Sequence, residues 1–227
     1  MRPETLKALV AARAEGREIA LATRLADGAE RLIDLTVPPS DELGAKAVGA
    51  AVRDESGPVE LQSETWFLNI FNPPVGLVIV GAVHIAQPLS RMAATMGWTV
   101  TVIDPRTALA SEARFPGVAL STEWPDEALQ GIAVTSRTAV VTLTHDPKLD
   151  DPALRTALES RAFYIGALGS KKTHAARLER LEAAGFTPAR LMAIHGPVGL
   201  AIGARTPAEI AVSILADIVR ALRAAAR

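Results

Sequence analysis

Hydrophobic and polar residues follow one rhythm in the first third of the chain and another beyond it. Leu6, Leu9, Val10 and Arg13 fall at helical spacing until Gly16, which predicts an opening helix. Ile19, Leu21, Thr23 and Leu25 then alternate with other residues, as do Ile33, Leu35 and Val37, so a β-hairpin turning at Asp27-Gly28 is expected. After Pro38-Pro39 a second helix, capped by Ser40 or Asp41, is expected to run through Ala51-Val52, followed by an extended stretch from Val59 to Ile70. Asn72-Pro73-Pro74 reads as a short stiff connector.

From Gly76 onward, short β-branched runs alternate with helical ones: Leu77 to Val80, Thr99 to Ile103, Thr138 to Leu143, Phe163 to Ile165, and a weaker run at Val118 to Leu120. Runs that stay apolar at consecutive positions suit strands buried on both faces, and therefore a parallel sheet covered by helices. Asp151-Pro152 and Thr206-Pro207 each place a capping residue before a proline, and Thr206 to Glu209 has capping-box spacing. Ile210, Ile214, Ile218 and Leu222 form one apolar stripe on the last helix. The expected class is α/β: a Rossmann-like parallel sheet with flanking helices over residues 73–227, behind a small α+β domain over 1–72.

Composition narrows the partners. With 227 residues, 49% hydrophobic and 22% charged, the chain can bury a core and is not expected to be disordered. Its 24 Lys+Arg and 25 Asp+Glu nearly cancel, so no global field would gather a nucleic acid or an anionic membrane, and neither is an expected partner. The absence of cysteine removes disulfides, thiolate metal sites and cysteine nucleophiles. Apolar runs break well short of a membrane span, and Met1 to Lys7 lacks the apolar core of a signal peptide, so a cytoplasmic location is expected.

Three glycine-bearing loops can carry chemistry. After the first strand of the second segment, Gly81-Ala82-Val83-His84 stands where a dinucleotide fold brings backbone to a pyrophosphate, and Asp104 closes the next strand, where a ribose hydroxyl would be received. Val83 puts a branched Cβ where a second glycine is needed, so a Rossmann turn that binds no dinucleotide stands equally open. The second loop runs Gly166-Ala167-Leu168-Gly169-Ser170-Lys171-Lys172. Two lysines in a helix's first turn oppose its dipole at about 0.3–1 kcal/mol each, and a bound anion would reverse that sign. The alternative is two solvated lysines on a surface helix. The third loop, His195-Gly196-Pro197-Val198-Gly199 through Arg205, can turn backbone amides toward a ligand with His195 and Arg205 as polar contacts, or serve as a tight connection with a structural histidine.

All four histidines, His84, His145, His174 and His195, lie in the second segment near predicted strand ends, which would gather them along one rim of the sheet. None shows the close spacing of a helical metal motif, and metal stays unassigned. No Gly-x-Ser-x-Gly elbow supports serine hydrolase chemistry.

At these loops the chain resembles the xanthine dehydrogenase accessory factor family, XdhC/CoxI type. The resemblance is carried by Gly81 to Gln87, Asp104-Pro105-Arg106 with Arg114-Phe115-Pro116, Thr144-His145-Asp146, Tyr164 to Thr173, and His195 to Ala211. It implies a protein without catalytic residues of its own, which binds molybdenum cofactor (molybdopterin), protects it while a cysteine desulfurase installs its terminal sulfur, and delivers it to a xanthine dehydrogenase-like hydroxylase. It also implies a homodimer. Carried over by position, the cofactor would lie among Gly81, His84, Asp104, His145, Gly166, Gly169, Ser170, Lys171, Lys172, His195, Gly196, Gly199 and Arg205, with Ser170, Lys171 and Lys172 on its phosphate. Many members carry a Gly-Gly-Cys segment in the N-terminal domain; this chain has none, so its own thiol cannot hold molybdenum, and a cysteine-bearing paralogue is an expected partner. The N-terminal domain is left a dimerisation or client-docking role. Two rival readings stand beside this one: an NAD(P)-dependent oxidoreductase using Gly81, Asp104 and a rim histidine, and a regulatory protein holding NAD(P) or another nucleotide on Asp104.

Overall fold

The computed structural model describes residues 1–62 and 64–224, in two compact units, one over residues 1–73 together with 223–224 and one over 74–222. The first unit opens with α1 (Pro3–Ala14). Its sheet is antiparallel, in the order β2-β1-β4-β3, from β1 (Ile19–Arg24), β2 (Glu30–Asp34), β3 (Gly57–Leu61) and β4 (Glu64–Phe71), with α2 (Glu42–Arg53) between β2 and β3. Ala20, Ala22 and Leu68 on the sheet bury against Leu43, Ala47 and Ala50 of α2. Asp41 caps α2 by accepting from the Gly44 N–H at 2.8 Å. The expected extended stretch from Val59 to Ile70 is instead two strands that pair with each other, Val59 opposite Trp66. The chain reverses after Leu61, where Gln62 adopts a left-handed φ of 51°. On α1 only Leu9 and Ala12 are buried; Leu6 and Val10, which share its helical spacing, face solvent.

The second unit is a six-stranded parallel sheet. Its strands are β5 (Gly76–Val80), β6 (Thr99–Ile103), β7 (Ala119–Ser121), β8 (Thr138–Thr142), β9 (Tyr164–Ala167) and β10 (Ile194–His195), in the order β10-β9-β8-β5-β6-β7. The helices are α3 (Ala86–Thr95), α4 (Pro125–Gly131), α5 (Pro147–Glu159), α6 (Lys171–Ala183), α7 (Pro188–Leu191) and α8 (Pro207–Ala224). Alternation along β5 shows why the strand reads as apolar throughout. Leu77 and Ile79 enter a core with Leu89 of α3 and Ile214 of α8, whereas Val78 and Val80 enter another with Leu129 of α4, Leu154 of α5 and Leu181 of α6. Each such side chain contributes about 1.5–3 kcal/mol when fully buried, so the sheet is a stiff base for its loops.

Two helix starts test the reading of caps. At α8 the capping box is complete: Glu209 N–H donates to Thr206 Oγ1 at 3.3 Å and Thr206 N–H to Glu209 Oε2 at 2.9 Å. At α5 the helix begins one turn earlier than Asp151-Pro152 suggested, because Asp146-Pro147 is a second acid–proline pair upstream and Asp146 Oδ1 already accepts from the Lys148 N–H at 3.0 Å. Pro152 therefore sits inside the helix, where the Lys148 carbonyl forgoes its backbone partner. The two-residue β10 and the single-turn α7 have no counterpart in the periodicity of the sequence.

Candidate functional site

Because all six strands are parallel, their carboxyl ends share one edge of the sheet. β5 lies between β6 and β8, so the winding direction reverses at β5–β8, and ligands of such sheets bind in the crevice outside the strand ends at this reversal. The structure places the predicted residues along this rim. Gly81 and His84 follow β5, Asp104 follows β6, His145 follows β8, Gly166 ends within β9 with Gly169 to Lys172 beyond it, and His195 ends β10. They form a row rather than one cluster: β6 stands three strand spacings, about 14 Å, from β9.

The β5–α3 turn is closed upon itself. Gly81 has φ +110°, and a Cβ there would fall 2.6 Å from Thr144 Cγ2, so the two central strand ends meet backbone to side chain. Gly81 N–H donates to Ile103 O and Ala82 N–H to Asp104 Oδ2, both at 2.8 Å. The fully buried Asp104 also accepts from Arg106 through its backbone N–H, Nε and Nη2 at 3.0, 2.8 and 2.8 Å, which fills its four acceptor positions. Burial alone would raise this carboxyl, but those hydrogen bonds outweigh it and hold the group below its ordinary range. Arg114 Nη1 takes up the Ala82 and Leu109 carbonyls at 2.8 and 2.6 Å, and Val83 packs against the core. His84 is exposed beside this turn, and His145 is exposed with an unusual left-handed φ of 64°.

The β9–α6 loop is built differently. Leu168 N–H extends the sheet to Thr142 O at 2.8 Å, and Ser170 caps α6 by accepting from the Thr173 N–H at 3.1 Å. Ser170, Lys171 and Lys172 are exposed. Beneath them lies Arg177, 1% exposed, with Nη2 donating to Leu168 O at 2.8 Å and lying 3.5 Å from Asp150 Oδ2. Asp150, also 1% exposed, accepts from Thr144 Oγ1 at 2.6 Å. Burial opposes both charges, pushing the Asp150 carboxyl up and the Arg177 guanidinium down.

At the sheet edge, His195 Nδ1 lies 3.4 Å from Oδ2 of the buried Asp217 on α8, and Tyr164 OH donates to the same oxygen at 2.7 Å. Burial and the Asp217 carboxylate push the Tyr164 phenol far above its ordinary value. The half-exposed imidazole also lies against the Tyr164 ring, with centroids 4.3 Å apart. The neighbouring glycines are used against protein atoms. A Cβ on Gly166 would meet Val198 Cγ2 at 2.5 Å, one on Gly199 would meet Ser213 Oγ at 2.5 Å, and one on Gly196 would fall inside the His174 imidazole. Arg205 is exposed, its backbone N–H bound to Glu209 Oε2 at 2.7 Å.

Among the described residues, no group of three or more His, Cys, Asp or Glu is placed to hold a metal ion, and no helix is long and apolar enough to cross a membrane. Arg177, Asp150, Tyr164 and Asp217 have no role assigned by the sequence pattern. The signal that points to two of them is a charge in line with apolar neighbours: Arg177 four residues before Leu181, and Asp217 beside Ile214 and Ile218.

A doubly wound parallel sheet with polar loops at one rim defines a Rossmann-type domain. The XdhC Rossmann domain family matches residues 77–218, and the chain belongs to that family. It is 33% identical over 160 residues to a protein of Bacillus subtilis named as a probable subunit of xanthine dehydrogenase, an alignment covering 70% of this chain and 46% of that one. It is 32% identical over 148 residues to the molybdenum cofactor insertion chaperone PaoD of Escherichia coli, covering 65% of this chain and 40% of that one. The chain thus aligns with less than half the length of these curated relatives. The crystal structure of a xanthine dehydrogenase from Bacillus halodurans superposes with a TM-score of 0.73 at 25% identity, over 97% of this chain and 67% of that one.

Proposed function

We propose that this protein carries molybdenum cofactor as cargo and serves as an accessory chaperone in the maturation of a xanthine dehydrogenase-like hydroxylase. The observation that carries the reading is the coincidence of the matched family domain with the rim: residues 77–218 include every loop that meets the strand ends. One relative is named as a cofactor insertion chaperone, and another as a probable xanthine dehydrogenase component. On this reading the cofactor's phosphate lies at Ser170, Lys171 and Lys172, and its ring system extends toward His195 and Arg205. Holding the cofactor while a cysteine desulfurase sulfurates it, homodimer formation, and client docking through residues 1–72 belong to the same proposal. A cysteine-free chain would hand the thiol chemistry to a cysteine-bearing partner.

A nicotinamide-dependent reading fares worse on geometry. The Asp104 carboxylate that would receive a ribose hydroxyl is filled by Arg106 and Ala82, and the Ala82 N–H and carbonyl of the turn that a pyrophosphate would approach are taken by Asp104 and Arg114. The test is to mix the protein with released molybdenum cofactor, separate bound from free by gel filtration, and assay molybdenum and pterin in the protein peak. Stoichiometric co-elution is expected. Absence of both from the peak, with NAD(P) retained instead, overturns the proposal.

A further inference from the structure

The start of α6 differs from the start of α3 in what lies under it. Arg177 sits at the seventh position of α6, and helical side chains lean toward the N-terminus, so its guanidinium comes to rest beneath the loop that opens the helix. Two measurements fix that placement: Nη2 donates to Leu168 O at 2.8 Å, and Nη1 is 3.8 Å from where a Gly169 Cβ would stand. Among the described residues nothing accepts from Arg177 Nε or Nη1, and Asp150 Oδ2 makes no hydrogen bond. A cation that is 1% exposed, with two donors left over, is aimed at a helix N-terminus.

A trans peptide sets its carbonyl and its N–H on opposite sides. With the Leu168 carbonyl drawn inward to Arg177, the Gly169 N–H faces outward. Gly169 has φ +150°, and a Cβ there would crowd Thr173 Cβ at 3.1 Å, so only glycine serves comfortably. The first N–H groups of a helix have no intrahelical acceptor; Ser170 Oγ takes that of Thr173, and among the described residues nothing takes those of Lys171 and Lys172. Outward amides from Gly169, Lys171 and Lys172, the dipole of a 13-residue helix and a buried guanidinium behind them favour a compact, doubly charged oxyanion.

We infer that the Gly169–Lys172 loop is a phosphate monoester site whose amides are preset by the buried Arg177, and that Lys171 and Lys172 contribute by steering. The inference deepens the proposed function by naming the chemistry of one end of its site, and it holds for phosphate monoesters without molybdenum. The Arg177–Asp150 pair is part of the device. Asp150 neutralises Arg177 in the ligand-free protein and so weakens the hold on an anion.

The test titrates the full chain with inorganic phosphate and with phenyl phosphate in a buffer free of other oxyanions, read by calorimetry and by amide NMR shifts. Shifts are expected at Gly169, Lys171 and Lys172, with little change at Val83 to Ala86. Asp150→Asn is expected to bind severalfold more tightly, because it keeps the shape and removes the competing charge. Arg177→Met is expected to lose at least tenfold in affinity, and Lys171→Ala with Lys172→Ala only severalfold, with a weaker salt dependence. Should Arg177→Met not fold, the Asp150→Asn result and the wild-type shift map carry the test. The inference is overturned by no phosphate binding, by shifts at α3 in place of α6, or by unchanged or weaker binding in Asp150→Asn. Phosphate binding without cofactor co-elution would sink the carrier reading and leave this site standing. Cofactor co-elution with silent amides at 169–172 would do the reverse.

Discussion

The β5–α3 and β9–α6 turns are built on the same plan, a parallel strand, a glycine at positive φ and a helix, yet they dispose of their backbone polar groups in opposite ways. At β5–α3, Asp104 and Arg114 draw Ala82 N–H and Ala82 O into contacts within the protein. At β9–α6, a buried arginine takes one carbonyl and by that act turns the following N–H outward. The first arrangement locks a turn; the second leaves amides at the helix start free, as the inferred anion site requires. A glycine-bearing strand-to-helix turn therefore says little about binding until the partners of its amides and carbonyls are known.

The largest effect should come from the charge that separates the two turns. Arg177→Met leaves Asp150 buried without its partner, and urea unfolding should show a loss of about 3–5 kcal/mol, much of it recovered in the double variant with Asp150→Asn. Failure of the second change to recover stability would mean that the two groups are not coupled. At the closed turn, Arg114→Ala frees the Ala82 and Leu109 carbonyls and should cost about 1–3 kcal/mol while phosphate affinity stays the same. A clear loss of affinity there would erase the contrast between the turns.

A pH effect follows at α6. Burial first, and Arg177 second, hold His174 below the ordinary histidine value, and its Nδ1 is buried against Gly196. The unfolded chain then binds more protons than the folded one below about pH 6.5, so stability falls as pH drops through that window toward the depressed folded value. Thermal melts from about pH 7.5 to about 5.5, spanning that window, should show this slope, and His174→Gln should flatten it. The smallest effect belongs to the exposed lysines. Replacing Lys171 and Lys172 by alanine removes charges that oppose the helix dipole and should raise ligand-free stability by about 0.3–1 kcal/mol per lysine, with an opposite, severalfold drop in phosphate affinity.

The sheet is legible in the sequence where strands are buried on both faces. β5, β6 and β8 announce themselves as apolar, β-branched-rich runs, and their parallel direction follows from the helices between them, whereas the strand order does not. β10, two residues long, carries no period, and the hairpin of β3 and β4 hides its reversal in an otherwise extended run. The start of α5 is ambiguous in the sequence because two acid–proline pairs lie five residues apart and both have capping chemistry, and the upstream pair wins. At the rim, the sequence points to exposed residues such as Ser170 and Lys172 and to the half-exposed His195. The buried charges behind them escape it, because Arg177 and Asp217 show only as charges in line with apolar neighbours until the helix is docked on its sheet. Conversely, Gly166, Gly196 and Gly199 look like flexible ligand-facing positions in the sequence, yet each serves a close approach between protein atoms.

Hydrogen–deuterium exchange of the full chain with and without released molybdenum cofactor, resolved over the two turns, tests the contrast most directly. Slowed exchange over residues 168–173 on cofactor addition, with 81–86 unchanged, is the predicted result. Slowed exchange at 81–86 with none at 168–173 would contradict it and make the closed turn the cofactor's seat.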